Sequence, residues 1–470
     1  MVFSSPFFLS FFFPLLLVCY FLSPKRLRNY ILFLASIFFY AWGEPCALPV
    51  MLGVIFANFY FGRMISARPQ KSALYLFIGL LLNLSILFFY KYLDFALINI
   101  NQLLSWFALK PILIPEIILP AGISFYIFQA ISYIVDVKRA NVKPQKALLK
   151  FALYISLFPQ LIAGPIVRYA TIASELDKRQ LILSNIYTGL ARFATGLAKK
   201  VFLADGLGQI ADCVLDAPVG DVPQIWAWVG IICYTLQIYY DFSGYSDMAI
   251  GIGRIFNFHF PENFNYPYSA KSLRDFWQRW HMSLTAWLRD YIYIPLGGNR
   301  TGHARHYLNI MIVLVACGLW HGAAWNFIFW GFYNGCGLII QDISGRFACV
   351  RNHMISGLSG WFLTMLFVLT GWVFFRVPEL DAALEYIRIL YLGNVHASFF
   401  HLPQIWENHV TISNCIFILV ALVLSQPIAA LRTENLCKTL YGGIFILLLF
   451  CATFAFAMTS SYSPFLYFRF

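Results

Sequence analysis

Two histidines lie where the sequence is otherwise apolar and aromatic. His281 falls in DFWQRWHMSLTAWLRDYIYIPLGGNR (275–300) and His321 in CGLWHGAAWNFIFWGFYNG (317–335), with a short basic loop between the blocks. Asp275, Arg279 and Asn326 accompany them, beside Trp280 and Trp320. Ionisable groups in such a setting are costly to desolvate, which marks the stretch 275–326 as a candidate functional site. An imidazole kept from water stays neutral, and a neutral imidazole can take the proton of a hydroxyl group. A lone buried histidine is also explained by a hydrogen bond to a neighbouring helix. A second histidine about forty residues earlier, in the company of Trp, Arg and Asp, favours chemistry over that plainer reading.

The elements that must hold these groups follow from spacing. Residues 272–291 read as one helix, which puts Trp277, His281, Leu284 and Leu288 on one face. Asp275 and Arg279 then form an i,i+4 pair with the acid first, the better orientation. Pro295 and the Gly297-Gly298-Asn299 turn end the segment. Such a helix can re-enter the membrane if protein or a water-filled cavity surrounds its ends. His321 falls inside an apolar span from 307 to 330, where Gly318 and Gly322 allow close helix or ligand approach.

A second polar cluster, YYDFSGYSD (239–247), supports two readings. Asp241 and Asp247 hold a catalytic base or a kinked helix in place, or they pair with nearby Arg. His303 and His306 form an HxxH without Cys or carboxylate neighbours, which suits a basic interfacial loop better than zinc. His353, His396, His401 and His409 lie in loops or at span ends. No GxSxG, P-loop or GxGxxG occurs.

Composition bounds the class. The 470-residue chain is 60% hydrophobic and 11% charged, against about 25% charged in soluble domains. Its mean hydropathy is +0.70. These values predict an all-α polytopic membrane protein. The net charge of +12 does not point to nucleic acid, because Lys and Arg cluster in short loops between apolar runs, as the positive-inside rule expects. The ten cysteines include no CxxC pair; Cys19, Cys233, Cys317, Cys415 and Cys451 read as small buried hydrophobes. The N-terminus lacks a basic leader and a small-residue cleavage site, so residues 7–23 read as a first helix.

Hydropathy yields roughly eleven spans plus one or two re-entrant pieces. Residues 95–109 are short and read as interfacial. Pro120 and Gly122 break the chain before a helix, and Gly164-Pro165 stops another. The densest basic loop, Lys138 to Lys150, marks the cytoplasmic side and offers a contact for anionic lipid. The chain reads as a single membrane domain over 1–470, with N-terminal spans at 1–110, a motif-bearing core at 115–340, C-terminal spans at 357–460 and an aromatic tail at 464–470.

In these blocks, together with LPAGISFYIFQAISYIVDV (119–137), AGPIVR (163–168) and YYDFSGYSDMAIG (239–251), the sequence resembles the membrane-bound O-acyltransferase (MBOAT) superfamily. Within it, the chain is similar to the bacterial branch of alginate O-acetyltransferase membrane subunits, peptidoglycan O-acetyltransferases and teichoic acid D-alanyltransferases. The resemblance implies a ring of tilted helices around a thin centre with a tunnel or funnel joining the two membrane sides. It implies His321 as the catalytic histidine and His281 as the second active-site histidine. It also implies a bacterial inner-membrane location, a cytoplasmic acyl thioester as donor with no bound cofactor, and an extracytoplasmic SGNH-hydrolase-type partner. Acetyl-CoA is the default donor. The tail Phe465-Leu466-Tyr467-Phe468-Arg469-Phe470 is similar to an F-x-Y-x-x-F tail of this branch, which by analogy makes Tyr467 a covalent acyl relay; by itself the tail reads as an interfacial aromatic anchor.

The expected chemistry is acyl transfer. His321 removes the proton of an acceptor hydroxyl, with the Tyr467 phenol as a candidate, and the oxygen attacks the thioester carbonyl. His281, alone or with Trp280 or Arg279, positions the donor or stabilises the oxyanion. Trp320, Asn326 and Asp275 complete the candidate substrate-binding set. Apolar walls exclude water that would hydrolyse the thioester. Alternatives remain: D-alanyl transfer from a carrier protein, a transporter with a polar path, or a scaffold subunit whose histidines tolerate alanine. Alginate, peptidoglycan and other polymers share these motifs, so the acceptor is not read from them.

Overall fold

The computed structural model describes residues 1–300, 302–345, 357–394, 411–428 and 433–459. Every regular element among the described residues is helical. Among the described residues, four helices are long and apolar enough to cross a membrane: Pro45–Ala67, Pro69–Trp106, Gly357–Arg376 and Leu440–Thr459, with shorter apolar helices at Phe8–Leu22 and Ile412–Leu424. Their exposed faces carry Leu74, Phe77, Leu81, Leu447 and Leu448, as expected where the solvent is lipid. The Pro69–Trp106 run corrects the interfacial reading of 95–109. The chain passes from Ser72–Leu87 through a π-helical turn at Phe88–Tyr92 into Leu93–Trp106 without a break.

The chain divides into two compact units, one made of Met1–Phe193 with Ser246–Pro261 and the other of Ala194–Tyr245 with Glu262–Phe470. In the first, the Leu48–Ala67 and Ser72–Leu87 helices are tied by reciprocal amides. Asn58 Nδ2 donates to Asn83 Oδ1 at 3.0 Å and Asn83 Nδ2 donates to Asn58 Oδ1 at 2.8 Å. Interhelical bonds of this kind contribute about 0.6–2 kcal/mol in a membrane, where an unpaired amide has no water to turn to. The Ile123–Lys138 helix is buried over almost its whole length. Gly122 begins it at φ +74°, and a Cβ there would meet the Leu161 carbonyl, so the expected break at Pro120–Gly122 is realised. In the same unit Arg192 grips Asp247 through Nε and Nη2, at 3.0 and 2.9 Å.

In the second unit, Lys200 Nζ lies 2.6 Å from Asp205 and 2.9 Å from Asp241, with all three side chains nearly inaccessible. Asp241 and Asp247 sit within one continuous helix, Gln224–Ile255, where the sequence suggested a span ending near 240. Both acids take the pairing role, and they remain helical because each has a basic partner to offset its burial.

Two further expectations are corrected. The apolar run 307–330 is two helices, His303–His321 and Trp325–Ser344, not one span. The turn is built from small residues: a Cβ on Gly318 would strike the Phe327 carbonyl, one on Gly322 the Phe327 ring, and one on Gly331 the Leu314 carbonyl. Glycines at these positions let the two backbones pack directly against each other. The segment 272–291 is also broken, into Leu273–Arg279 and Met282–Leu288. His281 stands between them in the left-handed region at φ 41°, ψ 53°, a conformation an L-residue adopts only when its surroundings enforce it.

Candidate active site

Both histidines fall at helix ends, where a side chain can be aimed independently of a helical face. His281 precedes Met282–Leu288, and His321 is the last residue of His303–His321. They are 1% and 2% exposed. His281 belongs to none of the long apolar helices, and burial alone pushes its imidazole below the ordinary histidine range.

Trp320 joins the two. Its ring lies 5.7 Å from that of His281 and 4.9 Å from that of His321, both edge-on. Beyond His321 come Trp330 at 5.3 Å and Phe375 at 5.1 Å. Beyond His281 comes Phe242 at 4.7 Å, then Phe264 at 4.9 Å from Phe242. Phe264 reaches Trp280 at 5.1 Å, Trp280 reaches Trp372 at 4.9 Å, and Trp372 returns to Trp330 at 5.9 Å. The result is a closed circuit of eight rings containing both imidazoles. Most of these pairs are edge-to-face, with Trp280–Trp372 tilted and Trp330–Trp372 stacked; aromatic pairs contribute about 0.5–1.5 kcal/mol each beyond area burial, so the circuit is stiff as well as dry.

Other contacts hold the circuit in place. Asn326, at the start of Trp325–Ser344, donates from Nδ2 to the Phe374 carbonyl at 3.1 Å, next to Phe375. Arg376 follows Phe375 and binds Asp212 at 3.0 Å and Asp216 at 2.6 Å through Nη2, fixing the end of the Gly357–Arg376 helix. Asn263 approaches His281. Its Oδ1 lies 3.0 Å from His281 Nδ1 and accepts from Ser283 Oγ at 2.9 Å and from the Ser283 N–H at 3.3 Å. Its carbonyl accepts from the Met282 N–H at 2.9 Å.

Of the residues picked from the sequence, His281, His321, Trp280 and Trp320 are members of the circuit and Asn326 braces it. Asp275 and Arg279 form their i,i+4 pair at 2.6 Å, about one-third exposed, and Arg279 also donates to the Asn265 carbonyl. They stand outside the circuit. His306 Nδ1 meets the Tyr293 hydroxyl at 2.8 Å, and no cluster of three His, Cys, Asp or Glu with metal-binding proximity occurs among the described residues. Tyr467 lies outside the described residues. Sequence reasoning missed Phe242, Phe264, Trp330, Trp372, Phe375 and Asn263. Phe242 and Trp330 stand within blocks already singled out; Asn263, in a Pro- and Asn-rich loop, carries no spacing signal.

The sequence profile described as MBOAT, membrane-bound O-acyltransferase family, matches residues 51–377. The chain is 37% identical over 507 residues to a protein named "Probable alginate O-acetylase AlgI" from Azotobacter vinelandii, covering 100% of both. It is 41% identical over 389 residues to the protein of that name from Pseudomonas aeruginosa, covering 82% of this chain and 73% of the relative. It is 37% identical over 423 residues to the peptidoglycan O-acetyltransferase of Helicobacter pylori, covering 83% and 79%.

Proposed function

Because the chain belongs to the membrane-bound O-acyltransferase family, we propose that its aromatic circuit is the place where an acetyl group leaves a cytoplasmic thioester on its way to an extracytoplasmic polysaccharide. The chain is an acyltransferase and a multi-pass membrane protein. Roughly eleven crossings of the bacterial inner membrane fit its hydropathy. The acceptor class follows from its relatives, whose names specify alginate and peptidoglycan. The observation that carries the reading is the pair of buried imidazoles on the two sides of Trp320.

The chemistry needs little from the protein. A hydroxyl oxygen attacks the thioester carbonyl carbon, the C–S bond breaks, and the hydroxyl proton ends on the departing sulfur as free thiol. His321 takes the hydroxyl proton and returns it to sulfur, with His281 as the second imidazole of the site. Thiolate leaves readily, so the protein contributes a base, orientation and exclusion of water. Acetyl-CoA supplies the acyl group as substrate. Tyr467 serves as the relay acceptor, and an SGNH-hydrolase-type partner on the outer side completes delivery to the polymer.

His321→Ala should abolish O-acetylation of host polysaccharide at an unchanged amount of membrane-inserted protein, measured as base-labile acetate. Acetylation at the wild-type level would remove His321 from the reaction.

A further inference from the structure

We propose that Asn263 is a positioning residue that fixes the proton of His281 on Nδ1 and so makes Nε2 the proton-accepting nitrogen presented to substrate. The argument begins at Ser283. Its backbone N–H can only donate, and it points at one side-chain atom of Asn263 at 3.3 Å. That atom is therefore the carbonyl oxygen Oδ1; the reversed amide would set two donors against each other. The same Oδ1 lies 3.0 Å from His281 Nδ1, and an acceptor can be met there only by a protonated nitrogen. A neutral imidazole has one N–H, so Nε2 carries the lone pair.

Asn263 does more than orient the ring. Its Oδ1 and its carbonyl accept from the N–H groups of Ser283 and Met282, the first two of the Met282–Leu288 helix, which have no partner inside that helix. The clasp thus starts the helix, holds His281 at φ 41° and sets its tautomer. Phe242 and Trp320, the neighbouring rings, are uncharged. Asp241, beside Phe242, is neutralised by Lys200. Among the described residues, desolvation is what lowers this imidazole.

The consequence deepens the acyl-transfer reading, on which it rests. A neutral His281 with its proton on Nδ1 cannot donate from Nε2 to an oxyanion. It accepts, by holding the hydroxyl of the attacking alcohol or the proton in transit to sulfur. On this proposal His281 acts as acceptor rather than as oxyanion stabiliser, one of the two roles the sequence suggested for it.

The tautomer can be read without activity. The detergent-solubilised full chain, labelled with 15N-histidine, should show a pyridine-type Nε2 and a protonated Nδ1 for His281, assigned by loss of the signals in His281→Ala. A protonated Nε2 in the neutral ring would overturn the proposal while leaving acyl transfer intact. The second arm uses host membrane vesicles supplied with acetyl-CoA and follows acetyl ester formation. Asn263→Leu should lower kcat on the order of 10- to 100-fold, the usual effect of losing a group that orients a histidine, with the KM for acetyl-CoA within about twofold. Asn263→Asp keeps the acceptor and adds a negative charge that favours imidazolium, so it should retain turnover and shift the acid limb of the pH profile to higher pH. An Asp variant whose limb does not move overturns the proposal, as does a Leu variant with normal kcat; the Asp variant and the spectrum remain decisive if the Leu variant does not fold.

Discussion

Trp320 is the residue on which both imidazoles lean, and its indole is 4% exposed. Removing it would leave a hole bordered by both histidines. Large-to-small changes at buried aromatics cost about 3–5 kcal/mol when the surroundings cannot collapse. Here collapse is opposed by the ring circuit and by the backbone contact at the Gly318–Phe327 turn. Trp320→Ala should therefore lower the temperature at which the solubilised protein aggregates and cut acetylation by on the order of 10²-fold, the scale on which small misplacements of reacting groups are felt. Trp320→Phe keeps an edge for each imidazole and should retain most of both, measured by size-exclusion thermal challenge and polymer-bound acetate. Equal losses in the two variants would mean that packing against Trp320 does not align the histidines.

Elements in this chain are positioned by charge as much as by apolar contact. Lys200 stands in a π-helical turn, Lys199–Ala204, and its bonds to Asp205 and Asp241 tie that turn to the helix carrying Phe242. Phe242 in turn packs on His281. Lys200→Met leaves two carboxylates facing each other in a dry site, which costs about 3–5 kcal/mol by the usual measure of broken buried pairs. The expected result is a sharp fall in membrane-inserted protein, recovered in part by Lys200→Met with Asp205→Leu and Asp241→Leu; a single variant that accumulates normally would contradict it. The sequence announced Asp241 as unusual without naming Lys200, forty-one positions earlier, because charge pairing across elements leaves no local pattern. Composition made the helical membrane class legible, and aromatic blocks marked both histidines. The two helix breaks were not legible. Period-3.6 patterning runs unbroken through Trp280–His281 and Gly322, and only the left-handed His281 and the glycine–backbone contacts reveal where the helices stop. Spacing did show Asp275 and Arg279 as an i,i+4 pair, but not that the pair stands outside the ring circuit.

At the scale of the molecule, the proposal requires a direction. A thioester offered from the cytoplasm must meet its acceptor without meeting water, and the acyl group must emerge on the other side. By the positive-inside rule, the basic loop from Lys138 to Lys150 is expected on the inner side. If Tyr467 carries the acyl group onward, the C-terminus must face outward, against the mild inward pull of Arg469. Alkaline phosphatase folds only outside the cytoplasm, so a fusion after Phe470 should be active and a fusion after Lys146 inactive. A fluorescent protein that matures only in the cytoplasm should give the reverse pattern at the same points. Tyr467→Phe then separates topology from chemistry: it keeps the ring and its interfacial anchoring while removing the nucleophilic oxygen. With an outward C-terminus and a relay role, this variant should lose polymer acetylation at normal protein level while the fusion pattern stays unchanged. An outward C-terminus with full acetylation in Tyr467→Phe would make the tail an anchor and pass the acyl group from the ring circuit directly to the partner. An inward C-terminus would end the relay outright, because no phenol on that side could deliver an acyl group to the outside.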